Sequence, residues 1–153
     1  MEALQINTGE IRIPIVRNGQ SVGEIVFNPN EATIAERFYR LLGNLSEKKK
    51  QMETRAKEME SNTTYDADGV PTNLPEYLDF ARNAHEALCV EYDSIFGAGT
   101  SQMVFGDFVP MNEAGFQVHL QFINGFAPHF QKARAEKIAQ YTTPASAKRN
   151  KRK

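Results

Sequence analysis

The chain has 153 residues, of which 41% are hydrophobic and 24% charged, and its formal net charge is −1. This length and composition are typical of one globular domain with a buried core, and the small net charge excludes attraction of the whole chain to nucleic acid or acidic membranes. Cys89 is the only cysteine, which excludes an intramolecular disulfide and hence a disulfide-stapled secreted scaffold.

Signals for export or membrane insertion are not evident in the sequence. The first residues, MEALQINTGEIRIP, do not combine a basic segment with a following apolar run, so no signal peptide is predicted. No apolar stretch approaches the ~20 residues that cross a bilayer. We therefore expect a soluble, cytoplasmic protein that does not contact membranes.

The first predicted element is a β-hairpin over residues 10–27. Isoleucines alternate with other residues from Ile11 to Ile15, and this period of two is typical of a strand. Asn18 and Gly19 follow, and this pair is the strongest short signal for a two-residue hairpin turn because both central positions need a positive φ.

The turn also predicts a register for the two strands. Pairing Arg17 with Gln20 sets Ile13 opposite Glu24, so that a charge interrupts an otherwise apolar face. Pro14 has no N–H for a ladder, which predicts an edge strand. Since a lone hairpin is marginal in water, it has to pack on helices or pair with another chain.

The helical part is predicted over residues 29–141, with an internal loop at 61–75. Asn28 is the expected cap of the first helix, Pro29 its first residue and Glu31 the end of a capping-box variant. The second half of this helix, SEKKKQMETRAKEME, is predicted to be mostly solvated. It is either a protruding arm or a surface for a partner.

The remaining helices follow from apolar periodicity and glycine stops. A second helix is predicted from Asn73 to Gly97, a short turn up to Gly106, and a third helix from about Asn112. Pro128 either kinks the third helix or starts a fourth one that ends at Tyr141. The predicted fold is α+β, mostly α: a single domain over 1–142 with an N-terminal β-hairpin packed on a bundle of about four helices. A disordered basic tail is expected at 143–153.

Two short strings contain residues of catalytic or metal-binding type. Asp66-Ala67-Asp68-Gly69-Val70 matches the nucleophile loop of haloacid-dehalogenase phosphatases, but no apolar strand precedes it, so a turn is favoured. His85 and Cys89 share a helix face, yet zinc needs about two further ligands, and the spacing does not bring His119 and His129 near them. We expect no catalytic site, no metal and no cofactor, and therefore no enzyme.

Apolar side chains are the better candidates for function. Aromatic residues are dense in the third helix, and Val118 and Phe122 fall well around that helix from its main apolar face, which leaves core and interface equally open. The following residues are predicted to bind a partner: Phe105, Phe108, Met111, Phe122, Phe126, Phe130, Met52 and Met59.

The basic end of the chain is a separate candidate. Five of the last six residues are basic, which leaves a charge of −6 on the rest of the chain. Phosphate contacts through counterion release are conceivable there, although a solvated tail is favoured. The residues concerned are Lys148, Arg149, Lys151, Arg152 and Lys153.

Several segments in this order resemble a family of tail assembly chaperones from phages and prophages of Gram-positive bacteria. After the hairpin they are FNPNEATIAERFYRLL, SEKKKQMETRAKEME, IFGAGTSQMVFGD and FINGFAPHFQKARAEKIAQYT. With the hairpin they cover most of Ile11 to Thr142. The segments 61–75 and 108–115 do not align with family features.

The resemblance implies a protein that binds the tape measure protein in many copies, keeps it soluble and assists tail tube polymerisation. It implies helix-in-groove recognition, a site of action in the cytoplasm of the bacterial host, and absence from the mature virion. Contact with the tail tube protein and homo-oligomerisation are left open. The alternatives are a structural tail or connector component, whose hairpin edge pairs between subunits, and an accessory protein that binds nucleic acid through the basic tail, which is less favoured.

Overall fold

The computed structural model describes the backbone of residues 2–152 and the side chains of residues 2–112 and 114–134. Within this part, a two-stranded antiparallel sheet precedes the helices. The elements are β1 (Ile11–Arg17), β2 (Gln20–Phe27), α1 (Ala32–Asn62), α2 (Leu74–Phe96), α3 (Thr100–Phe105) and α4 (Glu113–Arg152). The predicted mostly helical α+β fold with an N-terminal hairpin is confirmed.

The hairpin turn has the predicted conformation. Asn18 and Gly19 have φ values of 51° and 82°, as a two-residue turn with two positive φ angles requires. Arg17 pairs with Gln20 directly beside the turn. The Asn-Gly pair therefore fixed both the turn and the first pair of the ladder.

Farther from the turn, the predicted register is wrong by one residue. Val22 has no partner on β1, so the ladder has a bulge and Ile13 pairs with Ile25 rather than with Glu24. Glu24 moves to the exposed face, where its carboxylate lies 2.7 Å from the guanidinium of Arg12. The bulge thereby gives the hairpin a continuous apolar face for packing.

The start of α1 also differs from the prediction. Glu31 is the cap, and its carboxylate accepts hydrogen bonds from the N–H groups of Thr33 and Ile34, which lowers the pKa of Glu31. Asn28 instead closes the preceding turn, because its side-chain oxygen accepts the N–H of Asn30 at 2.9 Å. The helix therefore begins three residues later than an Asn28 cap would place it.

The charged second half of α1 is mostly exposed, as predicted, and contacts α2 along one side. Met52 is only 2% exposed. Arg55 occupies a position on the apolar stripe, and its guanidinium lies 5.3 Å from the centre of the Phe80 ring. This cation–π contact lets a charged residue face the neighbouring helix.

Aromatic rings from four elements meet in the core. Phe38 of α1 stacks on Phe130 of α4 with 4.1 Å between ring centres. Phe27 of β2 makes edge contacts with Phe96 of α2 and Phe126 of α4. One side of α4 thus faces the core, and its aromatic residues hold the hairpin against the other helices.

Helix α4 is continuous at Pro128, where the sequence left open either a kink or the start of a fourth helix. It passes through Pro128, so a separate fourth helix from His129 is wrong. The backbone is also helical over residues 143–152, where a disordered tail was predicted. The Ala, Lys and Arg residues that dominate this end have high helix propensity.

Candidate functional site: an apolar groove beside the hairpin

An apolar groove with a volume of about 680 Å³ lies between the hairpin and the helices. Residues 13–18 line it from β1 and the turn, and residues 104–108 line it from the end of α3 and the following loop. Helix α4 contributes Val118, Phe122 and Phe126. One strand and two helical segments therefore form a concave surface of the kind that binds apolar groups.

Two glycines let the hairpin lie close to α3. A Cβ atom added to Gly106, where φ is +59°, would lie 2.8 Å from Nη1 of Arg17. A Cβ atom added to Gly23 would lie 2.5 Å from Sδ of Met103. The Arg17 guanidinium also donates a hydrogen bond of 2.8 Å to the carbonyl of Met103. These contacts fix the position of β1 relative to residues 104–108, and hence the width of the groove.

The end of α2 holds α3 in place. Helix α3 follows Gly97 and Gly99, both with positive φ. The carboxylate of Asp93 accepts hydrogen bonds from the N–H and the hydroxyl of Ser101, at 2.8 and 3.1 Å. A carboxylate at this position satisfies donors at the start of a short helix. Asp93 thus positions the loop that forms one side of the groove.

The groove carries few charges, although the polar residues Asn18 and Gln121 also line it. Arg17 and Asp107 are the charged residues that line it, and Arg17 is already bonded to a carbonyl. Val16 and Phe108 remain 64% and 48% exposed. These features suit an apolar segment better than a charged ligand.

Gly125 leaves one part of the groove open. It lies on the exposed surface of α4 and lines the groove, and a Cβ atom added there would meet no atom within 4 Å. A Cβ atom at this groove-lining position would therefore clash with no atom of the chain itself.

Most of the residues predicted to bind a partner belong to the core. Exposure is between 1% and 7% for Met52, Phe105, Phe122, Phe126 and Phe130. These side chains face the interior of this chain, where those of α4 pack against rings of β2, α1 and α2. Their contact with a partner stays a prediction. Phe105, Phe122 and Phe126 still contribute to the lining of the groove.

The other predicted residues are accessible. Phe108 and Met111 are 48% and 52% exposed in the segment between α3 and α4. Met59 is partly exposed near the end of α1, where it lines a small crevice with Tyr77. Of the accessible residues, Phe108 lies in the groove.

Sequence reasoning missed the contribution of the hairpin to this surface. Ile13 and Ile15 were assigned to an apolar strand face, but the groove beside them depends on where α3 and α4 lie. The one sign of the groove in the sequence was Val118, an apolar residue that lies away from the main apolar face of its helix. No local pattern marked Gly125, because an open space beside a glycine is a property of the fold.

A second feature is a chain of buried polar side chains between α2 and α4. The Tyr92 hydroxyl lies 2.6 Å from Nδ1 of His119, and Nε2 of His119 lies 3.0 Å from Nδ1 of His85. Nε2 of His85 lies 3.4 Å from Sγ of Cys89. The sequence placed His85 and Cys89 on one helix face but could not bring His119 to them.

The positions of the hydrogens in this row of polar side chains follow from Tyr92, which lies at one end of it. A buried hydroxyl needs an acceptor, so Tyr92 donates to Nδ1 of His119. Nε2–H of His119 then donates to His85, and Nε2–H of His85 points to the sulfur of Cys89. Both imidazoles are neutral in this arrangement.

Burial is the main influence on these groups. It lowers the pKa of His119 to about 3 and also lowers the pKa of His85. It raises the pKa of the Tyr92 hydroxyl and that of the Cys89 thiol. The uncharged form of each group is therefore favoured, as the hydrogen-bond pattern requires.

The polar chain does not form a metal centre. Both ring nitrogens of His85 and of His119 already contact other members of this row of polar side chains. Throughout the described residues, no group of three or more His, Cys, Asp or Glu side chains could hold a metal ion.

Asp66 has a structural role in a turn. Its side-chain oxygen accepts the N–H groups of Asp68 and Val70 at 2.9 and 3.0 Å. Such bonds close the turn that the composition of the loop predicted.

Two further predictions concern the tail and the membrane. The phosphate contacts predicted for Lys148, Arg149, Lys151, Arg152 and Lys153 fall on side chains outside the described ones. Among the residues that the structure describes, no helix is both long and apolar enough to cross a membrane.

Comparison with known proteins identifies a family. No curated protein and no solved structure matches the chain. A family described as "Family of unknown function (DUF6673)" matches residues 22–153, which include β2 from Val22 onward and α1 to α4 but not β1. The match covers most of the sequence, and the chain therefore belongs to the DUF6673 family.

Proposed function

We propose that this DUF6673 protein is a non-enzymatic phage tail assembly chaperone that binds the tape measure protein, keeps it soluble and assists polymerisation of the tail tube. The resemblance of its ordered segments to such chaperones suggests this role. The proposal places the protein in the cytoplasm of the bacterial host during assembly and outside the finished virion.

The observation that carries the proposal is the unfilled apolar groove beside β1. Val16 and Phe108 are large apolar side chains that stay exposed there. A chaperone for an aggregation-prone chain needs a surface that can cover apolar groups of a partner. The groove supplies such a surface on a rigid support of one strand and two helical segments.

The proposed occupant is the apolar face of a tape measure helix. An added β-strand is less suitable, because Pro14 removes an N–H donor from β1, the strand that lines the groove. Helix-in-groove binding relies on apolar anchors and does not need a continuous backbone ladder. The small number of charges along the groove fits such anchors.

Co-expression with the tape measure protein of the same phage tests the proposal. The expected result is a soluble complex with several copies of this protein per partner chain, together with an insoluble partner when this protein is omitted. Affinity capture and size-exclusion chromatography would measure both. An insoluble partner in either case, with this protein present in stoichiometric amounts in purified virions, would instead favour a structural tail component.

A further inference from the structure

The N-terminal segment carries apolar side chains that the rest of the chain leaves uncovered. Residues 2–10, which we call the N-terminal arm, precede β1. Leu4 and Ile6 are 85% and 75% exposed, more than any of the other exposed large hydrophobic side chains among the described residues. Their spacing of two places both on one side of an extended segment.

The base of the arm is held firmly. The side-chain amides of Asn28 and Asn30 both donate to the carbonyl of Thr8, at 3.1 and 3.0 Å, and Asn28 also donates to the Thr8 hydroxyl at 2.8 Å. The N–H of Gly9 is bonded to the side chain of Asn7. These bonds fasten the arm beside the end of β2 and leave the residues before Asn7 to project from the molecule.

The arm does not fill the groove of its own chain. The residues that line the groove lie between Ile13 and Phe126 and include none from the arm. Asn28 and Asn30 fasten Thr8 to the segment after β2, whereas the groove lies along β1. One chain therefore presents an apolar arm without a cover and an apolar groove without an occupant.

The arm and the groove match in length and charge. Residues 2–7 of the arm span about 20 Å when extended, and residues 13–17 of β1, which line the groove, span about 17 Å. Glu2 is the charged residue of that part of the arm, and the groove carries few charges. Leu4 and Ile6 can both face α4 from one side of an extended segment that contacts the groove through side chains and does not pair with β1, beside Gly125, where an added Cβ meets no atom.

We propose that the N-terminal arm of one copy docks in the groove of a second copy and buries Leu4 and Ile6 there. The contact is between two different surfaces, so it forms either reciprocally in a dimer or successively along a chain of copies. It covers the groove while no other apolar segment occupies it. This inference does not rest on the proposed chaperone function.

Two full-length variants separate the two surfaces. The arm variant carries Leu4→Ser and Ile6→Ser at exposed positions, and the groove variant carries Gly125→Leu, which adds a bulky side chain at a residue that lines the groove. Gly43→Leu is the matched control, because Gly43 is also an exposed helical glycine without atoms within 4 Å of an added Cβ, but it lies on α1 outside the groove. Sedimentation velocity over a concentration series measures self-association of each purified protein.

The unaltered protein and the Gly43→Leu control are expected to self-associate equally. The association constants of the arm variant and of the groove variant should each be at least about tenfold lower. The arm variant lacks the two aliphatic side chains, and in the groove variant the added leucine keeps them from being buried. A mixture of these two variants should form a complex again, because one partner keeps an intact arm and the other an intact groove.

Other results would overturn the inference. They are an unaltered protein that stays monomeric over the whole concentration series, variants that associate as strongly as the control, and a mixture that associates no better than its components. None of these measurements uses the tape measure protein, so the inference can fail while the chaperone proposal stands, and the reverse also holds.

Discussion

The hydroxyl of Tyr92 lies 2.6 Å from Nδ1 of His119, and this hydrogen bond joins α2 to α4 inside the core. Both residues are fully buried. Because the Tyr92 hydroxyl donates to Nδ1 of His119, the other ring nitrogen of His119 carries the hydrogen and donates to His85. The bond to Tyr92 therefore sets the orientation of the His119 ring. The core is thus specified by directional bonds as well as by aromatic packing.

Replacing Tyr92 by phenylalanine should lower the free energy of unfolding by about 1–3 kcal/mol, since a buried nitrogen of His119 loses its partner. Urea denaturation at neutral pH measures the change. Tyr39→Phe is the matched control, because the Tyr39 ring is 37% exposed on α1, and it should change stability by less than about 0.5 kcal/mol. Equal effects of the two substitutions would contradict a structural role for the Tyr92–His119 bond.

The buried histidines should make stability depend on pH below about 6.5. Burial lowers the pKa of His119 to about 3 and lowers that of His85, whereas both have a pKa near 6.5 in the unfolded chain. As pH falls below about 6.5, the unfolded state binds protons that the native state does not. The free energy of unfolding therefore falls toward acid pH, by about 2 kcal/mol at pH 5 for His119 alone.

His119→Gln is the variant that isolates this pH dependence. The difference in unfolding free energy between pH 7.5 and pH 5 should be smaller in the variant than in the unaltered protein. Comparing each protein with itself removes any general loss of stability that the substitution causes. The same pH dependence in both proteins would show that His119 is not the source.

The contact between Gly23 and Met103 should behave as an energetically coupled pair. Gly23→Ala places a Cβ atom against Sδ of Met103 and also strains a backbone with φ of +144°. Met103→Ala removes the steric part but leaves the backbone strain. A double-mutant cycle of unfolding free energies should therefore give a coupling of about 0.5 kcal/mol or more, with the double variant more stable than additivity predicts. Additive effects would contradict close packing of α3 on the hairpin.

The sequence predicted those parts of the fold that depend on short-range signals. The Asn18-Gly19 turn and the end of α2 at Gly97 follow from local conformational preferences. The bulge at Val22 does not, because a bulge is selected by how the whole strand face packs. A ladder without a bulge would have placed the charge of Glu24 on the apolar face opposite Ile13. That conflict was the sign in the sequence that β2 contains an extra, unpaired residue.

The candidate site was less predictable than the fold. Apolar patterning found Phe122 and Phe126 but could not tell whether they face a partner or the core, since both environments select the same residue types. The groove arises where β1, α3 and α4 meet, and residues far apart in sequence form it. Its open space at Gly125 depends on this arrangement and not on any local signal.

In the proposed function, the groove beside β1 binds apolar segments of the tape measure protein. The most direct test compares Gly125→Leu with the Gly43→Leu control in co-expression with that partner, after thermal unfolding has verified that both variants fold. The control is expected to keep the partner soluble and in a complex, whereas with Gly125→Leu most of the partner should be insoluble and little complex should form. A groove-filled variant that keeps the partner as soluble as the control does would contradict this proposal.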